Sequence, residues 1–266
     1  MENIKTLEQI KRPWVVAHRG YRGSYPENTL VAFEAAIGAN TDMIELDVSL
    51  TRDRIPVVIH DNTLDRTTNG SGPVSEHTLA ELKELDAGSW FSTKFSGEAI
   101  PTLEELLMSV KGRITVNIEI KPESFESPAI PDGIESQICE LVEKLEMGDS
   151  VLISSFEHFF FARIHRWYRN QGKSTLPKVA PLQEAPLSEE LALGLCSRQS
   201  AYSFHPDENF VTPSLIETLK ADGFRIFPYT INKEKRMEQL IQWGVTGIIS
   251  DEPELVWKVI RKLGVD

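Results

Sequence analysis

Ionisable side chains follow four apolar runs of the chain that are typical of buried strands. They come in four groups, which are His18 with Arg19, Glu45 with Asp47, His60 with Asp61, and Glu119 with Lys121. A spacing of two residues places Glu45 and Asp47 on one face of a strand, and the same holds for Glu119 and Lys121. Charged residues are rarely buried unless they are paired or bind a metal, so four such strand ends that can converge indicate a functional site.

The carboxylates of this set are suited to a hard metal ion. Glu45, Asp47 and Glu119 supply three oxygen donors, which fit Mg²⁺ or Ca²⁺ completed by water and substrate oxygens. Zinc is disfavoured because no His-X-His motif or cysteine cluster accompanies them. The residue types also leave open a purely structural network, in which Arg19 and Lys121 neutralise the same carboxylates.

Two histidines and two cations could act on a phosphodiester. His18 and His60 are the natural proton carriers, because imidazole titrates near neutrality. Displacement at phosphorus needs one group to take a proton from the attacking oxygen and another to protonate the leaving alkoxide. Arg19 and Lys121 can hold phosphate oxygens and counter charge that develops at phosphorus. Taken alone, each histidine could instead be a packing residue, and the sequence does not say which one would be the acid.

Short motifs with these residues extend over nearly the whole chain. They are His18-Arg19-Gly20, Pro26-Glu27-Asn28-Thr29, Glu45-Leu46-Asp47-Val48, Val58-Ile59-His60-Asp61 with Leu64 and Arg66-Thr67-Thr68, Glu119-Ile120-Lys121, Ile153-Ser154-Ser155-Phe156, Tyr229-Thr230-Ile231-Asn232 and Gly247-Ile248-Ile249-Ser250-Asp251. In type and order they resemble the signature of the glycerophosphodiester phosphodiesterases. The resemblance implies metal-dependent cleavage of glycerophosphodiesters to glycerol 3-phosphate and an alcohol, with His18 and His60 as the acid–base pair.

Further residues are candidates for holding the substrate. Tyr229 stands where the family usually carries tryptophan in a Trp-Thr-Val-Asn segment, so an aromatic wall against the glycerol carbons remains while the alcohol preference is open. Phe156 either forms part of that wall or packs in the core. His205 follows an apolar run and either faces the mouth, where it would bind the glycerol or phosphate end, or is a packing residue.

Other residues of the motifs are expected to support the site. Glu27 and Asn28 follow a proline at a predicted helix start, and we expect them to be structural, with Asn28 as the helix cap. Asp61 is expected to orient a neighbouring side chain. Arg66 is expected to connect the following segment to the rest of the fold.

The alternation of strand-like and helical patterns indicates a parallel α/β architecture. There are nine extended runs for the eight positions of a (β/α)₈ barrel, and we assign Ala201 to Phe204 to a short segment at the barrel mouth. The link from Ser49 to Ile55 has no room for a helix, although an extended link can still lead to a parallel third strand.

Residues 61–100 do not show the regular alternation of strand-like and helical patterns found in the rest of the chain. A turn cluster, a short helix and an aromatic loop with Trp90, Phe91 and Phe95 make this stretch too long for an ordinary connection. The resemblance implies a small insertion that covers the substrate. We therefore predict one (β/α)₈ TIM-like barrel domain over residues 1–266, with an insertion at about residues 61–100 and the site at the carboxyl ends of the strands.

Composition limits the class of partner. A net charge of −12 and a pI near 5.1 argue against nucleic acid or an anionic membrane as partner and leave a small glycerophosphodiester. Two distant cysteines form no disulfide framework and suit a reducing compartment. Met1 to Arg12 has no apolar segment and no run approaches roughly 20 apolar residues, so we expect a cytoplasmic location without stable membrane insertion. The oligomeric state is not specified.

Other functions remain open on the sequence alone. A phospholipase-like relative acting on lyso- or intact phospholipids would need an apolar docking surface, for which Trp90, Phe91 and Phe95 qualify. A barrel that only binds phosphorylated ligands would lack a catalytic residue, and none of the expected set is missing. A zinc hydrolase would regain activity with zinc after chelation, where magnesium and calcium fail.

Overall fold

The computed structural model describes residues 11–127 and 132–266 of the 266-residue chain. The strands in these ranges are β1 Trp14–Ala17, β2 Met43–Leu50, β3 Pro56–Val58, β4 Thr115–Ile120, β5 Val151–Ser155, β6 Lys178–Gln183, β7 Ser203–Pro206, β8 Arg225–Ile226 and β9 Gly247–Ser250. The α-helices are α1 Leu30–Gly38, α2 Leu79–Lys83, α3 Leu103–Val110, α4 Ile134–Lys144, α5 Phe159–Asn170, α6 Glu189–Gln199, α7 Pro213–Ala221, α8 Glu234–Trp243 and α9 Pro253–Leu263. We expect no apolar segment in Met1 to Arg12, and most of these residues lie outside the described ranges.

Eight of these strands form a parallel barrel. Their order is β8-β7-β6-β5-β4-β2-β1-β9. The ring closes between β8 and β9 through backbone hydrogen bonds from Thr246 N to Ile226 O (3.0 Å) and from Ile249 N to Pro228 O (3.1 Å). The predicted (β/α)₈ barrel architecture is therefore confirmed.

The barrel is filled with side chains rather than hollow. Trp14 and Phe227 meet edge to face with 6.1 Å between ring centroids, and Met43, Leu152 and Ile249 pack in the same cluster. The outer faces of the strands pack against the helices in two larger apolar clusters. Because both faces are covered, most of the strands are largely apolar, and the charged side chains converge where the strands end.

The third strand differs from the expectation. A parallel third strand is not formed, because β3 runs antiparallel to β2, with Val48 opposite Val58. A hydrogen bond from Thr51 N to Ile55 O (3.1 Å) closes the turn between them. A connection this short returns the chain as a hairpin, whereas a parallel crossover needs about a dozen residues or more. β3 therefore lies outside the ring of eight strands.

The assignment of Ala201 to Phe204 to a segment at the mouth is wrong. Ser203–Pro206 forms β7, which pairs in parallel with both β6 and β8. Phe204 packs in the apolar cluster behind the sheet, while the ring of His205 contacts Phe227 inside the barrel. Polar residues thus alternate with an apolar one in β7. For this reason a search for continuous apolar runs did not identify it as a barrel strand.

Residues 61–100, which we call the 61–100 segment, have a small core of their own. Leu64, Val74, Leu82 and Ile100 pack together with Val57 of β3. Part of the segment contacts the loop after β1, where the rings of Phe95 and Tyr25 lie 5.4 Å apart between centroids. The segment is thus attached to the barrel at more than its two ends.

One carboxylate organises the aromatic loop of this segment. Asp86 accepts hydrogen bonds from the backbone N–H groups of Gly88, Ser89 and Gly97 at 2.8 to 3.0 Å. A Cβ atom at Gly88 would lie 1.9 Å from the carbonyl oxygen of Phe95. The close approach of these two parts of the loop backbone therefore requires glycine.

Within the described ranges, no helix combines the length and the apolar character that crossing a bilayer requires.

Two adjacent phenylalanines of α5 test this packing. Phe160 has no exposed surface, whereas Phe159 is 72% exposed. We expect Phe160→Ala to lower the free energy of unfolding by about 3 to 5 kcal/mol, because it removes a buried ring and leaves a cavity. Phe159→Ala is the matched control and should change it by about 0.5 kcal/mol or less. Urea denaturation measures both, and equal losses would contradict the orientation of α5.

Candidate active site

Three carboxylates meet at the ends of β2 and β4. In the parallel register of these strands Asp47 is the Cα partner of Glu119, and Glu45 lies one inward-facing position earlier on β2. All three side chains are buried, and one oxygen atom from each lies within 4.8 Å of the others. The structure therefore brings together the three carboxylates that were predicted as metal ligands.

Burial of these like charges shifts their proton affinities. Burial, followed by the charge of Asp47, raises the pKa of Glu119 to about 7 and raises the pKa of Glu45 well above its usual range. For Asp47 burial acts in the same direction, but the surrounding positive groups, Arg19 first, hold its pKa below the usual range. Burial and mutual repulsion therefore oppose the full ionisation of all three carboxylates.

The donor set fits a hard divalent cation. All three groups offer oxygen, which Mg²⁺ and Ca²⁺ prefer. Oε1 of Glu45 is buried and has no hydrogen-bond partner in the described part of the chain. A buried carboxylate oxygen without a partner is unfavourable unless something else binds it. These three residues could thus hold a metal ion.

Arg19 lies beside the carboxylates because of the tight turn that follows β1. Its backbone has a φ of 54°, its N–H donates to Oε2 of Glu45 at 2.9 Å, and its Nε lies 3.3 Å from Oδ2 of Asp47. Gly20 follows with a φ of 79°, and a Cβ atom there would lie 2.8 Å from backbone atoms of Ala32 on α1. The close packing of this turn on α1 fixes the arginine at the cluster.

Lys121 supplies the second positive charge. Its Nζ donates to Oε1 of Glu119 at 3.0 Å and lies 3.7 Å from Oδ1 of Asp47. The ion pairs of the structural alternative are therefore present. They do not exclude binding of a phosphate, because they leave both cations next to the oxygen donors.

His18 is held by a carboxylate from the other end of the chain. Its Nδ1 lies 2.7 Å from Oδ1 of Asp251, which follows β9, the neighbour of β1 in the barrel. Asn232 donates from Nδ2 to Oδ2 of Asp251 at 2.7 Å. Burial lowers the pKa of His18. Asp251 and Asn232 were missed as site residues, although Asp251 follows an apolar run just as the four predicted groups do.

His60 has a similar arrangement at the end of the hairpin strand β3. Its Nδ1 lies 2.6 Å from Oδ1 of Asp61. Arg66 donates two hydrogen bonds to the same carboxylate, at 2.7 and 2.9 Å, and lowers the pKa of Asp61 to about 2. Burial lowers the pKa of His60. Asp61 thus orients a neighbouring side chain, as expected.

The predicted helix cap is at a different residue. Thr29, not Asn28, caps α1, since its hydroxyl accepts from Ala32 N. Asn28 has a φ of 58° and donates from Nδ2 to Oδ2 of Asp47 at 2.9 Å. Both residue types cap helices well, but Asn28 adopts the left-handed conformation more readily and is used to hold a buried carboxylate.

The predicted substrate contacts fall into two groups. Phe156 and Tyr229 are partly buried, and their rings meet edge to face with 6.0 Å between centroids. His205 has no exposed surface, its Nε2 bonds to the hydroxyl of Ser203 at 2.9 Å, and burial lowers its pKa to about 3. The structure therefore pairs the two aromatic residues and places His205 in the barrel interior as a neutral side chain.

The chain is similar to known proteins over most of its length. Residues 18–255 match the model of the glycerophosphoryl diester phosphodiesterase family. A glycerophosphodiester phosphodiesterase of Caldanaerobacter subterraneus subsp. tengcongensis is 41% identical over 251 residues, which cover 94% of this chain and 98% of the relative. One from Bacillus altitudinis is 36% identical, with 94% and 98% covered.

Solved structures show the same fold. A phosphodiesterase of Oleispira antarctica, in complex with the product sn-glycerol-3-phosphate, superposes with a TM-score of 0.82 at 29% identity, covering 94% of this chain and 97% of that one. A glycerophosphodiester phosphodiesterase of Agrobacterium tumefaciens gives a TM-score of 0.77 at 28% identity, covering 92% and 98%.

The carboxylate cluster predicts an unusual effect of Glu45→Gln. In chelator-treated protein we expect this variant to be more stable than the wild type at pH 7.5, on the order of 1 to 3 kcal/mol, because it removes a buried carboxyl that must be either ionised beside two like groups or protonated far above its usual pKa. Since the pKa of Glu119 is raised to about 7, its own contribution to the stability of metal-free protein should fall as the pH rises from about 4.5 to 7, opposite in sign to the contribution of the buried histidines, whose pKa values are lowered.

Thermal unfolding with and without Mg²⁺ or Ca²⁺ checks this prediction. A cation at about 100 times its dissociation constant should stabilise the wild type by about 2.7 kcal/mol and the variant by much less. Glu217→Gln, an exposed carboxylate on α7, is the matched control. If Glu45→Gln were less stable than the wild type in chelator, the inferred repulsion between the three carboxylates would be wrong.

Proposed function

The chain belongs to the glycerophosphoryl diester phosphodiesterase family, and we propose that it hydrolyses glycerophosphodiesters to glycerol 3-phosphate and an alcohol with one divalent cation. By that membership it is a phosphoric diester hydrolase. The observation that carries the finer proposal is the buried cluster of Glu45, Asp47 and Glu119. The chain neighbours of both histidines are hydrogen-bonded to it, since Arg19 N donates to Oε2 of Glu45 at 2.9 Å and Ile59 N donates to the carbonyl of Asp47 at 3.0 Å.

The three carboxylates would hold Mg²⁺ or Ca²⁺. When bound, the ion would draw electron density from the phosphate and offset its negative charge. Arg19 and Lys121 would hold the non-bridging phosphate oxygens, since both already lie against the cluster. Arginine can bind two oxygens at once and lysine acts as a point charge, so together they stabilise the charge that develops at phosphorus.

The two histidines would exchange protons with the reacting oxygens. Because Asp251 and Asp61 lie at Nδ1 of His18 and His60, each ring has Nε2 left for the phosphate. One histidine takes the proton of the attacking oxygen as the new P–O bond forms. The other gives its Nε2 proton to the alkoxide as the old P–O bond breaks. The attacking oxygen belongs to water, which gives glycerol 3-phosphate directly, or to the glycerol 2-hydroxyl, which gives a cyclic glycerophosphate that water then opens to glycerol 3-phosphate.

The aromatic pair of Phe156 and Tyr229 would line the glycerol end of the substrate. A relative of the same fold was solved with sn-glycerol-3-phosphate, which supports a site for that moiety. We propose in addition that the chain acts as one barrel domain with the 61–100 segment as its insertion. Cys139 and Cys196 are both free and buried, which fits the cytoplasm as the place of action.

Release of glycerol 3-phosphate tests the function. Chelator-stripped protein should release none from glycerophosphocholine or glycerophosphoethanolamine, and Mg²⁺ or Ca²⁺ should restore release. His18→Gln and His60→Gln should each lower kcat by about 10²- to 10⁴-fold, because each removes a proton carrier. His77→Gln is the matched control and should retain kcat, since the His77 ring bonds to the carbonyl of Pro73, within the 61–100 segment.

Three results would point elsewhere. Folded protein that releases no glycerol 3-phosphate with any metal would refute the substrate class. Activity restored only by zinc would refute the cation assignment. Hydrolysis of lysophosphatidylcholine micelles without hydrolysis of glycerophosphocholine would favour the phospholipase-like alternative.

The aromatic wall gives a separate prediction. Tyr229→Ala should raise KM for glycerophosphocholine by about 10- to 100-fold, because a buried aromatic contact contributes about 1.5 to 3 kcal/mol. Tyr229→Phe is the control and should leave KM nearly unchanged, because the Tyr229 hydroxyl has no hydrogen-bond partner among the described residues. Steady-state kinetics at a saturating cation concentration measure both KM values. Equal KM values for the two variants would show that the ring does not contact substrate.

A further inference from the structure

Glu27 is a buried carboxylate at which three arginines meet. Its side chain is 1% exposed and lies in the loop between β1 and α1. It accepts four hydrogen bonds, from Arg19 Nη1 (2.9 Å), Arg22 Nε (2.8 Å), Arg66 Nη1 (2.9 Å) and Arg66 Nη2 (2.7 Å). Such density of charge-assisted bonds on one carboxylate exceeds what anchoring a single loop requires.

Two of these arginines also bind the carboxylates that hold the two histidines. Arg66 also binds both oxygens of Asp61, which holds Nδ1 of His60. Arg22 also lies 3.4 and 3.2 Å from the two oxygens of Asp251, which holds Nδ1 of His18. A continuous path of ion pairs thus runs from one histidine to the other.

Glu27 is at the centre of this path, where the two arms join. The arm toward His60 consists of Arg66 and Asp61, and the arm toward His18 consists of Arg22 and Asp251.

The charge state of the central residue supports this arrangement. Burial acts to raise the pKa of Glu27, but the hydrogen bond from Arg66 and the charges of Arg19 and Arg22 outweigh it and hold that pKa far below its usual range. Glu27 is therefore ionised at any pH at which the protein functions. Its third arginine, Arg19, extends the same network to Asp47 in the carboxylate cluster.

We propose that Glu27 is a positioning residue that fixes the ring orientation and the Nδ1–H tautomer of His18 and His60 together, and this proposal rests on the function proposed above. Asp61 without Arg66 could rotate about its side-chain bonds, and Asp251 without Arg22 would be held by Asn232 alone. Each is held by an arginine, and both arginines are held by the one buried carboxylate. Nε2 of each ring is thereby kept for the phosphate, whichever histidine is the acid.

This arrangement predicts a specific kinetic effect. Loss of the Glu27 charge should lower kcat by about 10- to 100-fold, the usual cost of removing a partner that orients a reacting group. KM should change by less than about 3-fold, because Arg19, the phosphate-binding neighbour of Glu27, remains held by Glu45 and Asp47. The histidine tautomers should change as well, which a residue that only stabilises the fold would not cause.

The experiment compares four variants of the full-length protein by steady-state kinetics, by thermal unfolding and by ¹⁵N NMR of the imidazoles. Glu27→Gln should disturb the Nδ1–H signals of both histidines. Arg66→Met should disturb His60 alone, and Arg22→Met should disturb His18 alone. Arg52→Met is the matched control, because Arg52 also binds the 61–100 segment, through Glu81, but is not part of the network.

The pattern of results is decisive in either direction. Arm-specific tautomer changes with a lowered kcat support the proposal. Unchanged tautomers in folded Glu27→Gln, or equal disturbance of both histidines by each arginine variant, overturn it. If Glu27→Gln does not fold, the two arginine variants carry the test, since both side chains are partly exposed. If the wild-type protein shows no turnover, the proposed function is refuted. The role of Glu27 can still be tested in that case, because the NMR measurement of the histidine tautomers does not require turnover.

Discussion

The burial of three like-charged carboxylates at the ends of two adjacent strands is the constraint on which the site depends. The register that pairs Asp47 with Glu119 brings negative charges together where water cannot screen them. The loops around them are arranged accordingly. The turn after β1 delivers Arg19 and the residue after β4 delivers Lys121. Asn28 gives up a helix-capping role to donate to Asp47. Burial and repulsion thus raise the pKa values of Glu45 and Glu119, and a bound divalent cation would offset this repulsion.

Much of the fold follows from sequence because parallel strands that are covered on both faces must be continuous apolar runs. The carboxyl ends of such strands meet at one end of a barrel, and therefore His18, Glu45, Asp47 and Glu119 could be placed together without coordinates. The direction of β3 could not be predicted, because an apolar run carries no information about its direction and the turn of residues 51–55 decides it. β7 was misassigned because its inward-facing positions hold Ser203 and His205 rather than apolar residues.

The parts of the site that escaped prediction depend on contacts between distant positions. Asp251 lies 233 residues from His18 in sequence, and only the closure of the barrel between β1 and β9 brings them together. Pattern and spacing place Asp251 at the end of an apolar run, but they do not show that its carboxylate pairs with His18. The same holds for Glu27, whose sequence context indicates a helix start. Its role emerges only when Arg22 and Arg66 converge on it.

The hairpin position of β3 has an evolutionary consequence. His60 and the 61–100 segment are attached to the outside of β2, while the eight-stranded ring closes without them. Lengthening, shortening or replacing this segment therefore leaves every barrel-closing hydrogen bond in place. Relatives can therefore differ in the length of this segment without any change to the closure of the barrel, which holds the oxygen donors.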